Sequence, residues 1–256
     1  MALTFGGATS DRVTVSLPAT PMPCTFLFWH YPTTQTSGRR LGGRSDFATY
    51  GNTINWDFTN NQKINSAIDF SGSIPANSIG AKTFSTNQWW FFAVVLNSSR
   101  QLQHYWGDLT TTAAEDTYTA QISATAGSPV DDSGKVWDIG NTNPNDGART
   151  LAYQGRIAIF SRVDAALTLG QIQSWQFSPQ VLANMNGFYR LGFAGTGTQP
   201  DWSGNGLAGT LSGPTVADDV PLMRPWRRPA IEVPYNVAAA AFYNPYYYRE
   251  QIARAA

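Results

Sequence analysis

Residues 88–96 form the most apolar run of the chain and constrain its fold more than any other stretch. The run, Gln-Trp-Trp-Phe-Phe-Ala-Val-Val-Leu, ends in the β-branched Val94 and Val95. Such a continuous apolar stretch predicts a strand buried on both faces. A buried helical segment would look similar over so short a span, but turn-forming residues at 83–87 and 97–100 limit it to strand length. We therefore expect residues 88–96 to be the central strand of a β-sandwich.

The composition agrees with one ordered all-β domain that carries an appendage. The 256 residues are enough to bury a sizeable core. The 9 Trp, 11 Tyr and 14 Phe exclude a disordered chain, because so much aromatic surface collapses into a core. The net charge is zero and no basic run exceeds Arg227-Arg228, so no nucleic-acid partner is expected. The single cysteine, Cys24, allows no internal disulfide and is expected to be an inert buried thiol.

The start of the chain shows a strand pattern and no leader. There is no basic region followed by an apolar one, and no apolar stretch is long enough to span a bilayer. We expect neither a signal peptide nor a membrane segment, and no membrane partner. A role outside a cell would then need lysis, a specialised secretion route or a virus particle.

Turn-forming residues recur at a spacing of roughly ten residues, which is typical of a sandwich or barrel. A Thr/Gly/Arg-rich loop is expected at 33–44. Besides 88–96, the expected strands are 3–5, 13–17, 25–31, 47–50, 54–58, 64–68, 101–106, 117–122, 135–139, 156–160 and 187–193.

Two short helices are predicted between these strands. Thr168 and Gln171 have capping-box spacing, and Leu169, Ile172 and Trp175 follow at three-residue intervals. Ser178-Pro179 resembles an N-cap followed by proline at the first helical position, with a stop at Gly187.

Residues 221–256 differ in composition and are predicted to form an extended arm. Pro221, Pro225, Pro229 and Pro234 keep its first part extended. The segment is too short to have its own core, so its aromatic residues must bury against the sandwich or against another chain. The expected partner-binding residues are Trp226, Arg227, Phe242, Tyr243, Tyr246, Tyr247 and Tyr248.

The order of several motifs resembles one known family over residues 3–176. The motifs are Leu3-Thr4-Phe5-Gly6-Gly7, Phe26 to Tyr31, Gln88-Trp89-Trp90, Ile139-Gly140-Asn141 and residues 155–162 before 167–175. Together they resemble the laminin-G-like domains of the concanavalin A-like lectin/glucanase superfamily, of the kind found in phage structural proteins. The resemblance implies a two-sheet antiparallel β-sandwich of the concanavalin A-like jelly-roll type, with one or two short helices.

A further match to this family sets the expected domain limits. Residues 201–211, which begin Asp201-Trp202-Ser203-Gly204-Asn205-Gly206, resemble a family turn that many relatives carry before the sandwich. Here the turn follows it, so we expect residues 176–220 to add edge strands and a short helix. The expected domains are therefore a sandwich at 1–220 and an arm at 221–256.

No cofactor is expected, although a calcium ion has weak support. Gly6 and Ala158 stand where relatives often carry carboxylates that help to hold a structural calcium. Asp201 and Asn205 remain as oxygen ligands. The alternative is that they only hold their own turn through side-chain bonds to the backbone.

Enzymatic activity is not expected. The glucanases of the superfamily use two glutamates with an aspartate between them, because one group must donate a proton while the other attacks or stabilises the sugar. The spacing Glu-x-Asp-x-x-Glu does not occur, and the glutamates are Glu115, Glu232 and Glu250. His30 and His104 have no serine or cysteine nearby in sequence, and His30 is interpreted as a structural histidine.

These observations indicate a protein that acts by binding. Aromatic rings can stack on sugars, and the candidate ligand-binding residues are Trp56, Trp106, Trp137 and Trp202, although a tryptophan in a strand is more often core. The hypothesis is a structural protein on the surface of a phage particle, either a head decoration or a fibre-associated subunit. Its expected partners are copies of itself, other virion proteins and surface glycans. The alternatives are a carbohydrate-binding lectin-like protein and an atypical glycoside hydrolase.

Overall fold

The computed structural model describes residues 1–8, 10–34, 39–44, 53–57, 63–133, 135–141 and 152–221, with the backbone alone at 39 and 53–57. The chain divides into two units, Met1–Met223 and Arg224–Ala256. The strand expected at 47–50 and the arm beyond residue 221 lie outside the described residues.

The described part of the first unit contains sixteen strands and one helix. They are β1 (Ala2–Gly6), β2 (Arg12–Val15), β3 (Cys24–Pro32), β4 (Arg39–Gly43), β5 (Thr53–Asp57), β6 (Lys63–Ile68), β7 (Ala76–Gly80), β8 (Trp90–Leu96), β9 (Leu102–Asp108), β10 (Ala114–Glu115), β11 (Tyr118–Ile122), β12 (Trp137–Ile139), β13 (Gln154–Val163), α1 (Leu169–Phe177), β14 (Met185–Arg190), β15 (Thr210–Ser212) and β16 (Thr215–Ala217).

The strands form two antiparallel sheets packed as a sandwich, which confirms the predicted fold class. The first sheet has the order β10-β9-β8-β3-β13-β1-β16, and β14 also pairs with β13. The second sheet has the order β11-β7-β6-β5-β4-β12-β2-β15. The long strand β13 pairs with β1 along its first half and with β14 along its second half.

The inner core lies between the two sheets and is rich in aromatic rings. Trp137 of the second sheet stacks on Phe26 and Phe160 of the first, with ring centroids 4.8 and 5.8 Å apart. Val13 and Ile139 of the second sheet are also fully buried there. Burying so much apolar area is the main force that holds the two sheets together.

A second core covers the opposite, outer face of the first sheet. Helix α1 packs Ile172 and Trp175 onto Trp29 and Phe91 of that face. Gln176 anchors the helix, because its buried amide donates to the Asp108 and Thr111 carbonyls and accepts from the Ala113 N–H. The capping box at Thr168 and Gln171 is present as predicted.

The presence of both cores explains why every residue of β8 is buried. Phe92 and Val94 face the inner core, and Phe91 and Val95 face the outer core. The apolar run at 88–96 therefore does form a strand buried on both faces. The middle strand of the sheet is its neighbour β3, with β8 beside it.

Two local predictions are wrong. The expected loop at 33–44 contains strand β4. In this strand the Trp137 indole packs close to Gly42, since a Cβ atom at residue 42 would lie only about 3.0 Å from the indole nitrogen. The helix expected from Ser178-Pro179 to Gly187 does not form. Ser178 instead caps α1, and residues from Met185 onward join the ladder of β13.

Candidate functional site

A polar cleft opens beside the junction of β13 and β14. Its volume is about 630 Å³. It is lined by Asp164, Leu182, Asn184, Met185, Asn186, Ser203 and Asn205. We refer to these seven residues as the polar cleft.

The junction of β13 and β14 positions one wall of the polar cleft. The register of the two strands shifts between Arg162 and Val163. The chain leaves β13 at Asp164, whose N–H donates to the Asn184 carbonyl at 2.8 Å. Asn184 has a positive φ of 60°, which asparagine tolerates better than most residues. The turn exposes the Asn184 side chain at the cleft.

Asp164 is held in place by charged and amide donors. The fully buried Arg162 donates from Nε to Oδ1 of Asp164 at 2.9 Å. The Asn186 amide donates to Oδ2. The Asp164 side chain keeps 21% exposure, so its carboxylate retains lone pairs that face the solvent. Asp164 is thus an acceptor of fixed orientation at the cleft.

The turn expected at 201–206 forms the opposite wall. Oδ1 of Asp201 accepts from the N–H groups of Phe188 and Ser203, at 3.1 and 2.9 Å. Its Oδ2 accepts from the Ser203 hydroxyl and the Leu207 N–H, at 2.7 and 3.2 Å. The Asn205 amide donates to the Met185 carbonyl at 2.8 Å. Both candidate calcium ligands therefore hold the turn and tie it to β14.

The described residues do not bring several candidate calcium ligands together. No group of three His, Cys, Asp or Glu side chains that could hold a metal occurs among those residues. Ala158, where relatives often carry a carboxylate, is fully buried in the outer core. At Gly6, the other position where relatives often carry a carboxylate, the backbone N–H donates to Oδ2 of Asp11 at 2.6 Å.

The chemistry of the polar cleft suits a ligand with many hydroxyl groups. The Asn184 amide can both donate and accept, and Asp164 accepts. The Asn205 amide and the Ser203 hydroxyl already donate within the protein, so these two side chains offer a ligand mainly acceptors. Leu182 and Met185 add apolar surface to the lining.

The tryptophans proposed as ligand platforms occupy different environments. Trp137 is fully buried between Phe26 and Phe160, so it offers no face to a ligand and is a correction to the sequence-based candidates. Trp106 is half-buried, and the Lys82 ammonium lies 4.0 Å from its ring centroid, which covers one face. Trp202 is half-buried beside the cleft residue Ser203. The side chain of Trp56 lies outside the described residues.

The two histidines lie in the interior. Nδ1 of His30 is 2.9 Å from the Tyr153 hydroxyl. Nε2 of His104 is 2.6 Å from the Ser66 hydroxyl, a serine neighbour that the sequence did not reveal. Burial lowers the pKa of both His30 and His104 to about 3, so both rings are neutral at pH 7. Because Ser66 is 1% exposed, the Ser66–His104 pair is closed to a substrate.

The expected partner-binding residues lie outside the described part of the chain. They are Trp226, Arg227, Phe242, Tyr243, Tyr246, Tyr247 and Tyr248. Their role stays a prediction.

Sequence reasoning found one wall of the polar cleft and missed the other. The turn motif drew attention to Asp201, Trp202 and Asn205. Asp164, Asn184 and Asn186 went unnoticed, because a lone aspartate after a strand and two asparagines near a proline are common loop chemistry. The spacing Asn-x-Asn just before a predicted strand was the available signal.

Comparison with known proteins identifies the fold. No protein-family model and no curated protein matches the chain. A Bacteroides ovatus protein proposed to bind carbohydrate has a TM-score of 0.62 at 14% identity, covering 86% of this chain and 61% of its own. A heptameric pentraxin from Limulus polyphemus has a TM-score of 0.45 at 15% identity, over 68% of this chain and 80% of its own. Domains LG4-5 of the mouse laminin α1 chain have a TM-score of 0.43 at 11% identity, over 67% and 43%.

The chain shares the β-sandwich fold of the Bacteroides ovatus protein, and the resemblance to the concanavalin A-like superfamily predicted a sandwich of this kind. It spans less than two thirds of the Bacteroides ovatus protein. At 14% identity the likeness establishes the fold and does not transfer a ligand. Within the described ranges, no helix is both long and apolar enough to cross a membrane.

Proposed function

We propose that the protein is a non-enzymatic, lectin-like module that binds carbohydrate in the polar cleft. The observation that carries this proposal is the lining itself, in which a fixed carboxylate, three amides and a hydroxyl converge beside two apolar side chains. Sugars present hydroxyl groups that both donate and accept, together with apolar C–H faces. A site that combines amide and carboxylate groups with apolar contacts matches both features. The lectin-type fold supports the same proposal by analogy.

The lining favours binding over glycoside hydrolysis. Hydrolysis by the usual mechanism needs two carboxyl groups on either side of the scissile bond. Among the described residues that line the polar cleft, Asp164 is the one carboxylate. Both oxygens of that carboxylate already accept hydrogen bonds within the protein, from Arg162 and Asn186.

A glycan array tests the proposal with the intact protein and two cleft variants. Asn184→Gly removes an amide and keeps the positive φ without strain. Asp164→Asn removes the negative acceptor. Each is expected to weaken glycan binding by roughly tenfold or more, the usual loss when a hydrogen bond to a charged or buried group is removed.

The matched control is Asp131→Asn, an exposed aspartate on another loop. It is expected to bind as the wild type does. If the wild type binds no glycan, the proposed function is wrong. If both cleft variants bind like the wild type, the site is wrong.

We also propose a finer role, which rests on the sequence of the arm: a subunit on the surface of a phage particle that docks through residues 221–256. The support is the aromatic cluster at Phe242–Tyr248, which is more apolar surface than a monomer usually exposes. Mass spectrometry of purified phage particles tests whether the protein is part of the particle.

Deletion of residues 225–256 tests whether the arm is the docking element, since the truncated sandwich is expected to fold but not to attach to the particle. Normal attachment after deletion would exclude the arm as the docking element.

A further inference from the structure

An exposed aromatic pair lies close to the polar cleft. The rings of Phe193 and Trp202 meet edge to face, with centroids 5.1 Å apart and planes at 87°. Phe193 is 43% exposed, so the pair presents apolar surface to the solvent. The guanidinium carbon of Arg190 lies 5.7 Å from the Phe193 ring centroid. The Arg190 guanidinium thus covers one face of the Phe193 ring, and Trp202 contacts the ring edge to face, while part of the Phe193 side chain stays exposed to solvent.

The polar cleft and this aromatic pair share one side of the molecule. Leu182 of the cleft and Trp202 of the pair both pack against the outer core. The backbone N–H of Trp202 donates to the Phe188 carbonyl at 2.7 Å. The Asn205 amide donates to the carbonyl of Met185, which lies earlier on the same strand. The 201–206 turn therefore runs alongside β14 from the cleft toward the pair.

Strand β14 sets the separation between the two features. The cleft residue Met185 and Arg190, which contacts Phe193, stand at its two ends. Five steps of about 3.3 Å give a separation of about 17 Å. This is longer than a single sugar ring and fits a short chain of linked sugars.

We propose that the binding surface extends from the polar cleft to Phe193, so that the ligand class is a neutral oligosaccharide rather than a monosaccharide. This inference rests on the proposed function. One sugar unit occupies the cleft, whose lining among the described residues includes no cationic side chain that could pair with an acidic sugar. A later unit packs its apolar C–H groups against the exposed part of the Phe193 ring. The Arg190 guanidinium beside that ring donates to the hydroxyl groups of the same unit.

Isothermal titration with ladders of neutral glucan, mannan, xylan and galactan oligosaccharides, each from monosaccharide to hexasaccharide, tests the extension. The full chain is used, and uronic-acid ladders are included. We expect the affinity of the wild type to rise with length within one neutral ladder. In Phe193→Ala the increase in affinity from monosaccharide to hexasaccharide is expected to be about tenfold smaller than in the wild type, because an aromatic contact is lost.

Two controls separate stacking from a general effect. Phe193→Tyr keeps the aromatic face and should keep the gain with length. Ile122→Ala removes another exposed apolar side chain, on edge strand β11 of the other sheet, and should behave as the wild type does.

The outcomes distinguish this inference from the proposed function. If no ladder binds at any length, both are overturned. If monosaccharides bind as tightly as hexasaccharides, or if Phe193→Ala retains the full gain with length, only the extension is overturned. Preferential binding of uronic-acid ladders would overturn the assignment to neutral sugars.

Discussion

The Ser66 hydroxyl lies 2.6 Å from Nε2 of His104, and the two residues belong to opposite sheets. Ser66 is on β6 and His104 is on β9, so this hydrogen bond crosses the interior of the sandwich. The His104 ring also packs edge to face against Phe92 and Tyr118. A polar pair in this position favours one register between the sheets, and it makes the fold sensitive to acid.

The buried histidines are expected to lower the stability of the protein as the pH falls. Burial lowers the pKa of His30 and His104 from 6.5 to about 3. Between these values the unfolded chain binds more protons than the folded one, so the free energy of unfolding decreases as the pH falls. The loss is up to about 1.4 kcal/mol per pH unit for each histidine. Asp69 opposes this trend, because burial raises its pKa to about 6.

Urea denaturation of the wild type and of His104→Gln across pH 4 to 7 isolates the contribution of His104, since the other groups are common to both proteins. The wild type should lose stability more steeply with falling pH, by about 1 kcal/mol per unit. Parallel pH profiles would show that His104 has the same pKa in the folded protein as in the unfolded chain.

Replacing Trp90 by Ala should destabilise the sandwich by about 3–5 kcal/mol, the usual cost of emptying a large buried aromatic site. Trp90 is 4% exposed, and its indole N–H donates to the Ser85 carbonyl at 2.9 Å. Denaturant melts measure the change. Ile74→Ala, at a side chain that is 52% exposed, is the control and should change stability by less than about 0.5 kcal/mol. A loss below about 1 kcal/mol for Trp90→Ala would contradict its place in the core.

Replacing Gln176 by Leu should cost about 3 kcal/mol or more, because it leaves the Ala113 N–H and the Asp108 and Thr111 carbonyls without their partner in a buried site. Gln173→Leu is the matched control on the same helix. Its half-buried amide makes one bond, to the Ala113 carbonyl, so the expected cost is about 1 kcal/mol. Equal losses in thermal or urea melts would show that Gln176 does not anchor α1.

Calcium is expected to contribute little to stability. Both carboxylate oxygens of Asp201 are already bonded within the protein. Thermal melts with and without a chelator should therefore agree within a few degrees. A fall in melting temperature of more than about 10 °C in chelator would require tight binding to the folded state alone and would restore the calcium hypothesis.

The strands with strong apolar patterns were predictable because their side chains report burial directly. The run at 88–96 and the strand at 25–31 are apolar on both faces, and in the structure both faces are covered. The capping box at Thr168 was also readable, since it depends on residues three positions apart. In these cases residues close together in the sequence are enough to predict the local structure.

Two of the missed strands, β4 and β7, and the false helix show where local pattern fails. β7 buries only the small residues Ala76, Ser78 and Gly80, and β4 buries Gly42 and Gly43 beside Leu41, so the buried positions carry little of the apolar signal of a strand. Ser178-Pro179 has the chemistry of a helix start. The segment that follows is nevertheless drawn into a strand, because Met185 and Phe188 bury their side chains in the outer core. Tertiary packing outweighs a cap worth about 1 kcal/mol.

The site was decided by tertiary structure for a related reason. Asp164 directly follows strand β13, Asn184 and Asn186 come after the helix, and Ser203 and Asn205 lie in a later turn. Each is ordinary in its own stretch of sequence. They converge because β14 turns back along β13 and the 201–206 turn bonds to the backbone of β14. Composition and periodicity report which faces are buried, whereas convergence depends on strand pairing between distant segments, which no local pattern encodes.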